Sequence, residues 1–202
     1  MNNPNDERYK KLKKIRDELL VFTASPLYSY RTKNNFKPVI GEGNHYAKIM
    51  FVGEAPGENE AKQGRPFCGA AGRVLDELLQ SINVKRADVY VTNIVKDRPP
   101  GNRDPLPAEI ELYAPFLDRQ IDIIEPKVIA TLGRFSMSYI MNKFGLQQEL
   151  RSISAIHGQM FETKTTYGVT TVVPLFHPAV VLYAITKKAE LLKDFQVLRS
   201  FL

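Results

Sequence analysis

Cysteine is scarce in this sequence, because the 202 residues include only Cys68. A single cysteine excludes a disulfide within the chain, and it also excludes a metal or iron–sulfur site built only from cysteines of one chain. Long apolar runs are missing too, since no segment reaches the roughly 18 apolar residues needed to cross a bilayer. The first residues are polar and do not form the apolar core of a signal peptide. We therefore expect an intracellular protein in which Cys68 is a small packing residue.

The length and charge indicate a basic globular protein. Internal repeats and low-complexity tracts are absent from the sequence, so we expect residues 1–202 to form one domain with a sizeable core. The chain has 28 Lys and Arg against 22 Asp and Glu, a formal net charge of +6, and a pI of about 9.3. This excess of positive charge suits a polyanionic partner such as nucleic acid. It is equally typical of a surface that only keeps a protein soluble.

Hydrophobic patterning predicts helices that alternate with strands. An amphipathic helix is expected within residues 1–24, a Pro- and Gly-punctuated irregular stretch over 26–44, and a closing helix over 184–202. Four apolar or β-branched runs predict buried strands, at 48–52, 89–95, 128–132 and 171–176, and one or two short strands are expected within 146–167. The intervening helices imply parallel crossovers. We predict an α/β fold, a three-layer α/β/α sandwich around a central, mainly parallel four-stranded sheet.

Chemically versatile residues follow two of these predicted strands. The segment GEAPGENE, residues 53–60, comes directly after the first strand, and His177-Pro178-Ala179 follows the last. In an open α/β sheet, ligands bind in the crevice beyond the carboxyl ends of the strands. The two segments are therefore expected to face each other and to form an active site.

Six sequence blocks occur in an order that is specific for a known family. They are RTKNNFKPVIGEGN, GEAPGENE, GRPFCGAAGR, VTNIVK, RPPGNRDPLPAEI and HPA, within residues 22–183. By these blocks the chain resembles the uracil-DNA glycosylases of family 4. The resemblance implies a monofunctional hydrolase that cleaves the N-glycosidic bond of uracil in DNA, leaves an abasic site and serves base excision repair. It also implies DNA containing uracil, single- or double-stranded, as the partner of a monomer in the cytoplasm or nucleoid.

The resemblance assigns one wall of a pocket for an extruded base. Gly53, Glu54 and Ala55 form the turn whose backbone N–H groups hold a uracil carbonyl while negative charge develops on it. Phe67 is the aromatic residue that stacks on the base, a contact worth about 1–3 kcal/mol. Without the family blocks, a Gly-Pro turn and a core phenylalanine would be the ordinary interpretations.

The opposite wall is assigned to two polar residues. Asn93 ends the second strand and is expected to pair with uracil O4 and N3–H, a pattern that cytosine reverses. His177 is expected to donate to uracil O2, which a neutral imidazole can do. Taken singly, an Asn after a strand is typical of a turn and a His before Pro is typical of a structural role.

Three residues are candidates for positioning the water and stabilising the cationic sugar. The best-known members of the superfamily use an aspartate at the third position of the first motif, where this chain has Ala55. The resemblance transfers the task to Glu54, Glu60 or Asn102. We favour Glu60 as the carboxylate beside the water, with Glu54 shaping the turn and Asn102 acting from a proline-rich loop. Acidic residues such as Glu60 also occur at helix N-termini simply as partners of the helix dipole.

Contacts with DNA are expected around the mouth of the pocket. Small residues that open a helix near residue 70 allow a phosphate to approach backbone N–H groups, and basic side chains supply charge. A loop after the HPA motif is expected to wedge into the duplex, with Tyr183 where family members often have arginine. The predicted DNA-binding residues are Arg65, Gly72, Arg73, Lys96, Arg103, Val180, Val181 and Leu182.

The resemblance departs from the family at one set of positions. The family typically ligates a four-iron, four-sulfur cluster with four cysteines, and the matching residues here are Phe22, Ser25, Asp97 and Tyr113. We therefore predict that the protein has no cluster and no other metal cofactor. Phe22 and Tyr113 are expected to fill the vacated volume, and Asp97 is expected to pair with Arg98 or a nearby lysine.

Two alternative functions follow from the same residues. Loss of the cysteines is compatible with a catalytically weak or inactive DNA-binding homologue. The motifs are also shared by glycosylases for other deaminated bases, such as hypoxanthine or xanthine. The joint presence of Glu54, Glu60, Asn93 and His177 favours an active enzyme, and Asn93 favours uracil.

Overall fold

A six-stranded sheet runs through the computed structural model, which describes residues 6–202. Its strand order is β1-β3-β2-β4-β6-β5, in which β2, β3, β4 and β6 are parallel and the two edge strands are antiparallel. The strands are β1 Glu42–Gly43, β2 Ile49–Gly53, β3 Tyr90–Asn93, β4 Val128–Leu132, β5 Phe161–Thr165 and β6 Gly168–Leu175. The mainly parallel α/β sheet is confirmed, but the predicted number of four strands is wrong. β1 has only two residues and carries no apolar run. β5 lies within the segment 146–167, where one or two short strands were expected, and its residues alternate between half-buried and exposed.

Helices connect the strands and cover both faces of the sheet. The α-helices are α1 Glu7–Leu20, α2 Leu27–Lys33, α3 Glu58–Gln63, α4 Ala70–Ser81, α5 Pro107–Ile124, α6 Arg134–Lys143, α7 Ile153–Ile156, α8 Val180–Tyr183 and α9 Lys187–Phe195. Short 3₁₀ turns occupy Arg86–Asp88, Pro100–Asn102, Gln147–Glu149 and Gln196–Phe201. Within residues 6–202, none of the helices combines the length and the apolar character that crossing a membrane requires.

Alternation along the buried strands separates two apolar cores. In β2, Met50 and Val52 face a core that includes residues of α1, α5 and α6. Ile49 and Phe51 face the opposite core, to which α4 and α9 contribute. Successive strand side chains point to opposite faces, so the sheet is the middle of three layers, as predicted. Each large apolar side chain buried in this way contributes about 1.5–3 kcal/mol to stability.

The strand register brings the carboxyl ends of distant segments together. Gly53 at the end of β2 pairs with Asn93 at the end of β3. On the other side of the sheet, Leu132 pairs with Leu175, two residues before His177. The chain passes from β2 to β3 on one side and then to β4 on the other side of β2. Such a reversal of strand order opens a crevice at the carboxyl edge.

Two other sequence predictions need correction. The stretch 26–44 was expected to be irregular, but it contains α2, which buries Leu27 and Arg31. The closing helix expected over 184–202 starts later, at Lys187, because Ala184 has an extended backbone (φ −141°, ψ 89°). It continues as a 3₁₀ turn after Phe195. The first five residues of the predicted N-terminal helical segment lie outside the described residues.

Candidate active site

A cavity of about 320 Å³ opens at the carboxyl edge of the sheet, a size at the small end for pockets that enclose small molecules. All four residues that the sequence assigned to catalysis line this cavity. So do Ala55, Phe67 and Asn93, which were assigned to binding of the base. The lining residues are Glu54, Ala55, Pro56, Gly57, Glu60, Phe67, Ala71, Asn93, Pro99, Asn102, Arg103, His177 and Ala179.

Asn93 presents an unpaired amide oxygen at this cavity. The residue is 2% exposed, and its Oδ1 is buried without a hydrogen-bond partner. Its backbone is fixed by pairing with Gly53 at the strand ends. An unsatisfied buried acceptor costs about 1–3 kcal/mol, and a ligand that donates a hydrogen bond removes this penalty. Asn93 is therefore an acceptor that is ready for a donor in the pocket.

Gly53 does not line the cavity itself, but its lack of a side chain makes room for two residues that do. A Cβ atom at this position would lie 2.3 Å from Asn93 Oδ1 and 2.7 Å from Phe67 Cζ. Both distances are well below van der Waals contact, so any side chain at residue 53 would displace the amide or the ring. The requirement for glycine here is steric, because the position belongs to a regular strand.

Phe67 is held in an uncommon backbone conformation next to His177. Its φ is 47°, a left-handed value that non-glycine residues rarely adopt and that is often found at functional sites. The Phe67 and His177 ring centroids are 5.6 Å apart with planes inclined at 30°. A Cβ on Gly72 would lie 1.8 Å from the Phe67 carbonyl oxygen. The prediction that Gly72 contacts DNA is wrong, because this buried glycine instead makes room for the Phe67 turn.

A backbone hydrogen bond determines which ring nitrogen of His177 carries the proton. The Ala179 N–H donates to His177 Nδ1 over 3.1 Å, so the proton of the neutral ring resides on Nε2. Burial lowers the pKa of His177 to about 4, although Glu60 opposes this shift. The imidazole is therefore neutral at physiological pH and has one N–H available for donation.

Glu60 has both a structural contact and a free oxygen. Its Oε1 accepts hydrogen bonds from the backbone N–H groups of Cys68 (2.9 Å) and Gly69 (2.7 Å), just before α4. Its Oε2 lies close to Gly57, on the wall of the cavity. The carboxylate thus occupies the Gly69 N–H, one of the N–H groups at the start of α4 that were expected to receive a DNA phosphate. It also provides a negative charge near the pocket.

Glu54 is a second acid on the same wall, with a different environment. Burial raises its pKa to about 7, repulsion by Asp104 adds to the effect, and Arg134 opposes it. The carboxyl group is therefore close to half-protonated at neutral pH. This property separates it chemically from an ordinary surface glutamate.

Asn102 reaches the cavity from the 3₁₀ turn of the proline-rich loop. Its φ is 55°, and its Oδ1 accepts a 2.7 Å hydrogen bond from Arg98 Nε. Arg98 also donates to Tyr30 Oη and Glu58, which connects this loop to α2 and α3. The side chain of Asn102 is consequently held near the pocket by neighbouring elements.

The predicted basic contacts divide into exposed and buried residues. Arg65 is exposed and makes two 2.9 Å hydrogen bonds with Glu42. Arg73 is exposed and lines a second cleft, which shares Phe67 with the base pocket. Arg103 lines the pocket itself and pairs with the buried carboxylate of Glu109. The prediction for Lys96 is wrong, because its side chain is completely buried and is not accessible to DNA.

The segment after the HPA motif forms the short helix α8. Val181 is only 8% exposed and packs in the core, so the prediction that it enters DNA is wrong. Val180 is half-buried. Leu182 is 49% exposed, and Tyr183 of the same predicted loop is 90% exposed. Ile185, which was not among the predicted DNA contacts, is 70% exposed. Residues 179–185 are all apolar or aromatic, so the local sequence gives no signal that Ile185 is exposed.

A buried polar network occupies the positions that match the family's cluster ligands. Asp97 is 0% exposed and pairs with Arg31 over 3.1 Å, so the expected pairing with Arg98 is wrong. Burial raises the pKa of Asp97, whereas hydrogen bonds from Tyr113 and the charge of Arg31 lower it. Arg31 also donates to the carbonyl oxygens of Leu19 and Leu20, which ties the end of α1 to the network.

The remaining two positions complete this packed region. The Phe22 ring makes an edge contact with Tyr113 at a centroid distance of 5.6 Å. Ser25 Oγ accepts the N–H of Leu27 at the start of α2. An iron–sulfur cluster requires thiolate ligands, and none of these residues provides one. The residues present therefore do not fit the group, and residues 6–202 contain no cluster of three His, Cys, Asp or Glu side chains suited to a metal ion.

Comparison with known proteins identifies the family. A family model described as the uracil DNA glycosylase superfamily matches residues 40–199. The chain is 46% identical over 190 residues to a type-4 uracil-DNA glycosylase from Sulfurisphaera tokodaii, an alignment that covers 94% of this chain and 84% of the relative. A type-4 uracil-DNA glycosylase from Archaeoglobus fulgidus is 46% identical over 167 residues, covering 83% and 82% of the two chains. The one from Thermotoga maritima is 40% identical over 182 residues, covering 89% and 88%. The chain therefore belongs to the uracil-DNA glycosylase superfamily.

Proposed function

We propose that the protein is a monofunctional DNA glycosylase that hydrolyses the N-glycosidic bond of uracil in DNA and leaves an abasic site. The observation that carries this assignment is the buried, unpaired Oδ1 of Asn93 at the pocket. Uracil N3–H is a donor that would satisfy it, while the amide nitrogen donates to uracil O4. Cytosine presents a lone pair and an amino group at the same positions, which leaves both ends of the amide mismatched.

The remaining pocket residues support departure of the base. An extruded uracil stacks on Phe67, and His177 Nε2–H donates to O2. When the C1′–N1 bond breaks, its electron pair leaves with the base, so negative charge develops on the uracil ring and its oxygens. Preorganised donors stabilise that charge more strongly in the transition state than in the bound substrate. A neutral His177 performs this role without first losing a proton.

Two acidic residues and one amide of the pocket act on the sugar and the water. Water adds to C1′ as the base departs, and one of its protons must be accepted by a base. We assign this role to Glu60, whose Oε2 borders the cavity while Oε1 is fixed by two N–H groups. Its negative charge also favours the cationic sugar. Glu54 shapes the adjacent turn, and Asn102 supports the water from the proline-rich loop.

The DNA strand is expected to follow the arginine-lined surface beside the pocket. Arg65 and Arg73 line the cleft that shares Phe67 with the base site, and Arg103 lies at the pocket itself. Leu182, with the exposed Tyr183 behind it, is suited to fill the space that the extruded base leaves. We further propose that single- and double-stranded uracil-containing DNA are both substrates, and that the enzyme acts as an intracellular monomer in the cytoplasm or nucleoid.

Catalysis is proposed to need no iron–sulfur cluster. The buried Arg31–Asp97 pair and the Tyr113 hydrogen bond connect α1, α2 and α5 with the segment after β3, which is a structural role that requires no metal. Iron and acid-labile sulfide should be assayed in protein purified without oxygen and tested for activity in the same preparation. Activity without iron is the expected result, and stoichiometric iron that is required for activity would contradict it.

Uracil excision is the direct test of the proposed function. End-labelled oligonucleotides with one uracil opposite guanine, opposite adenine or unpaired are incubated with the protein and cleaved by alkali at abasic sites. The wild type should release uracil, and Asn93→Ala and His177→Ala should each be at least about 10²-fold slower, the cost of losing one preorganised donor or acceptor. Asn142→Ala, which alters an exposed residue of α6, is the control.

The other outcomes of this assay distinguish the alternatives. Intact uracil substrate together with release of hypoxanthine or xanthine would redirect the assignment to another deaminated base. Intact substrate for all three bases, with DNA binding retained, would indicate a non-catalytic DNA-binding homologue.

A further inference from the structure

The side chain of Lys96 lies behind the base pocket and contacts the residue that reads the base. Its Nζ donates to the Asn93 carbonyl oxygen over 2.6 Å, to Thr92 Oγ1 over 2.8 Å and to Gln120 Oε1 over 2.5 Å. A fourth acceptor, the Ile40 carbonyl oxygen, lies farther away at 3.4 Å, so the three N–H groups of an ammonium have the three nearer acceptors as partners. Lys96 is 0% exposed, so none of its donors is available to solvent or to DNA.

The acceptors are themselves held by a second set of hydrogen bonds. The Thr92 hydroxyl donates to the Ile40 carbonyl oxygen over 2.6 Å. The Gln120 amide donates to the same carbonyl over 2.9 Å and to Tyr90 Oη over 3.2 Å. The network therefore connects α5, the segment before β1 and three residues of β3. Because each member is paired, its geometry is well defined.

Maintaining a lysine in this position is energetically unfavourable. Burial lowers the pKa of Lys96 well below its ordinary value, since the charged form loses its hydration. An apolar residue of similar length would avoid this cost. An apolar residue could not, however, donate the hydrogen bond that Lys96 makes to the Asn93 carbonyl oxygen.

Asn93 depends on its backbone for its orientation. Its Oδ1 has no hydrogen-bond partner, so that oxygen holds the amide in no particular direction before the base arrives. The peptide is restrained on one side by Gly53, whose carbonyl accepts the Ile94 N–H over 3.0 Å. On the other side, Lys96 holds the carbonyl of Asn93 itself. Small displacements of a positioning group can cost about 10²-fold in rate.

We propose that Lys96 is a positioning residue for Asn93, holding its peptide from behind so that the side-chain amide is preorganised to read the base. This inference rests on the proposed function, because it gives Lys96 a role through the base-reading amide. Thr92 and Gln120 are the second layer that fixes Lys96.

A double-mutant cycle tests the proposal. Single-turnover uracil excision is measured for wild type, Lys96→Met, Asn93→Ala and the double variant, with Lys48→Met as an exposed control at the other end of β2. Lys96→Met is expected to slow excision about 10- to 100-fold when Asn93 is present. It should have less than about a threefold effect in the Asn93→Ala background, because residues that act through each other are not additive. Equal losses in both backgrounds would overturn the proposal.

Two further measurements keep the proposal decidable. If Lys96→Met does not fold, Thr92→Val removes one acceptor with almost no change of shape, and the same loss of additivity with Asn93→Ala is expected. The ¹H–¹⁵N signal of the Asn93 side-chain amide, identified by its absence in Asn93→Ala, should shift or broaden in either variant. An unchanged signal would refute positioning by Lys96 even if the wild type failed to excise uracil, a failure that would by itself refute the proposed function.

Discussion

Tyr113 Oη donates a 2.6 Å hydrogen bond to Asp97 Oδ2, and both residues are 0% exposed. The same carboxylate pairs with Arg31, so a negative charge in the interior has two strong partners. These contacts join the segment that follows β3 to α2 and α5. The pocket loop that begins at Arg98 is therefore attached to a rigid base made only of protein side chains.

Replacement of Asp97 by alanine should strongly destabilise the protein. It would leave Arg31 buried without a counter-charge, and removing one partner of a buried pair costs about 3–5 kcal/mol. Urea unfolding of the purified variant measures this loss. Tyr113→Phe, which removes one hydrogen bond and retains the ring, should cost only about 1–3 kcal/mol. A loss below about 1 kcal/mol for Asp97→Ala would show that the pair is not structural.

Gly53→Ala should abolish base recognition while preserving the fold. The added Cβ would lie 2.3 Å from Asn93 Oδ1, so the amide must move from the position in which it meets the base. We expect uracil excision to fall by at least about 10²-fold, with affinity for undamaged DNA nearly unchanged. Excision kinetics and fluorescence anisotropy on the same oligonucleotides measure the two quantities. An active variant would show that uracil excision does not depend on the position of the Asn93 amide.

Two substitutions at Glu60 separate its structural role from its charge. Glu60→Gln retains an oxygen for the Cys68 and Gly69 N–H groups, whereas Glu60→Ala removes it. The glutamine variant should unfold close to the wild-type denaturant midpoint, and the alanine variant should lose about 1–2 kcal/mol, as for other lost helix caps. Both should be about 10²- to 10⁴-fold slower in uracil excision, the usual contribution of a general base. Full activity of Glu60→Gln would limit this residue to its structural hydrogen bonds with the Cys68 and Gly69 N–H groups.

Glu54 should give the protein a measurable dependence of stability on pH. Its folded pKa of about 7 lies above the ordinary value of 4.5, so the folded state binds its proton more tightly than the unfolded state does. The associated stabilisation is complete below pH 4.5 and is lost as the pH rises to about 7. Relative to Glu54→Gln, the wild type should therefore lose stability across this range. A constant difference between the two proteins from pH 4.5 to 7 would contradict the raised pKa.

Arg73→Ala should weaken DNA binding in a salt-dependent manner. The side chain is exposed in the cleft beside the base pocket, and one phosphate contact changes the slope of log K against log salt by about 1. Binding to a uracil-free duplex at several salt concentrations measures this slope. Arg151→Ala, at an exposed position between α6 and α7, serves as the comparison. Identical slopes for the two variants would place Arg73 outside the DNA contact surface.

Residues at strand ends were predictable because parallel topology determines where they lie. Once β2, β3 and β6 are recognised as parallel, their carboxyl ends must share one edge, and Gly53, Asn93 and His177 follow directly. The short β1 was not predictable in this way, because two residues carry no periodic pattern. The α2 helix was obscured by the Pro and Gly residues around it.

Local sequence patterns could not predict contacts between charged residues that are far apart in the sequence. Arg31 and Asp97 are 66 positions apart, and Asp97 has an adjacent arginine that is the more obvious partner. The same holds for Lys96, because a lysine followed by Asp97 and Arg98 is typical of an exposed charged segment. Gly72 was predicted to be a phosphate site because residue type alone does not show that it packs against the Phe67 carbonyl group.

By itself, the sequence determined the α/β class and the family, and it identified several of the residues that line the pocket, since these depend on residue type and order along the chain. The tertiary structure alone decided which of the polar residues are buried and with which partners they pair. Burial depends on neighbours that are remote in sequence. A buried charged group is costly unless it is paired, and its partners come together only when the chain folds. Lys96 and Asp97 therefore became interior network residues, although the local sequence around each of them favours the surface.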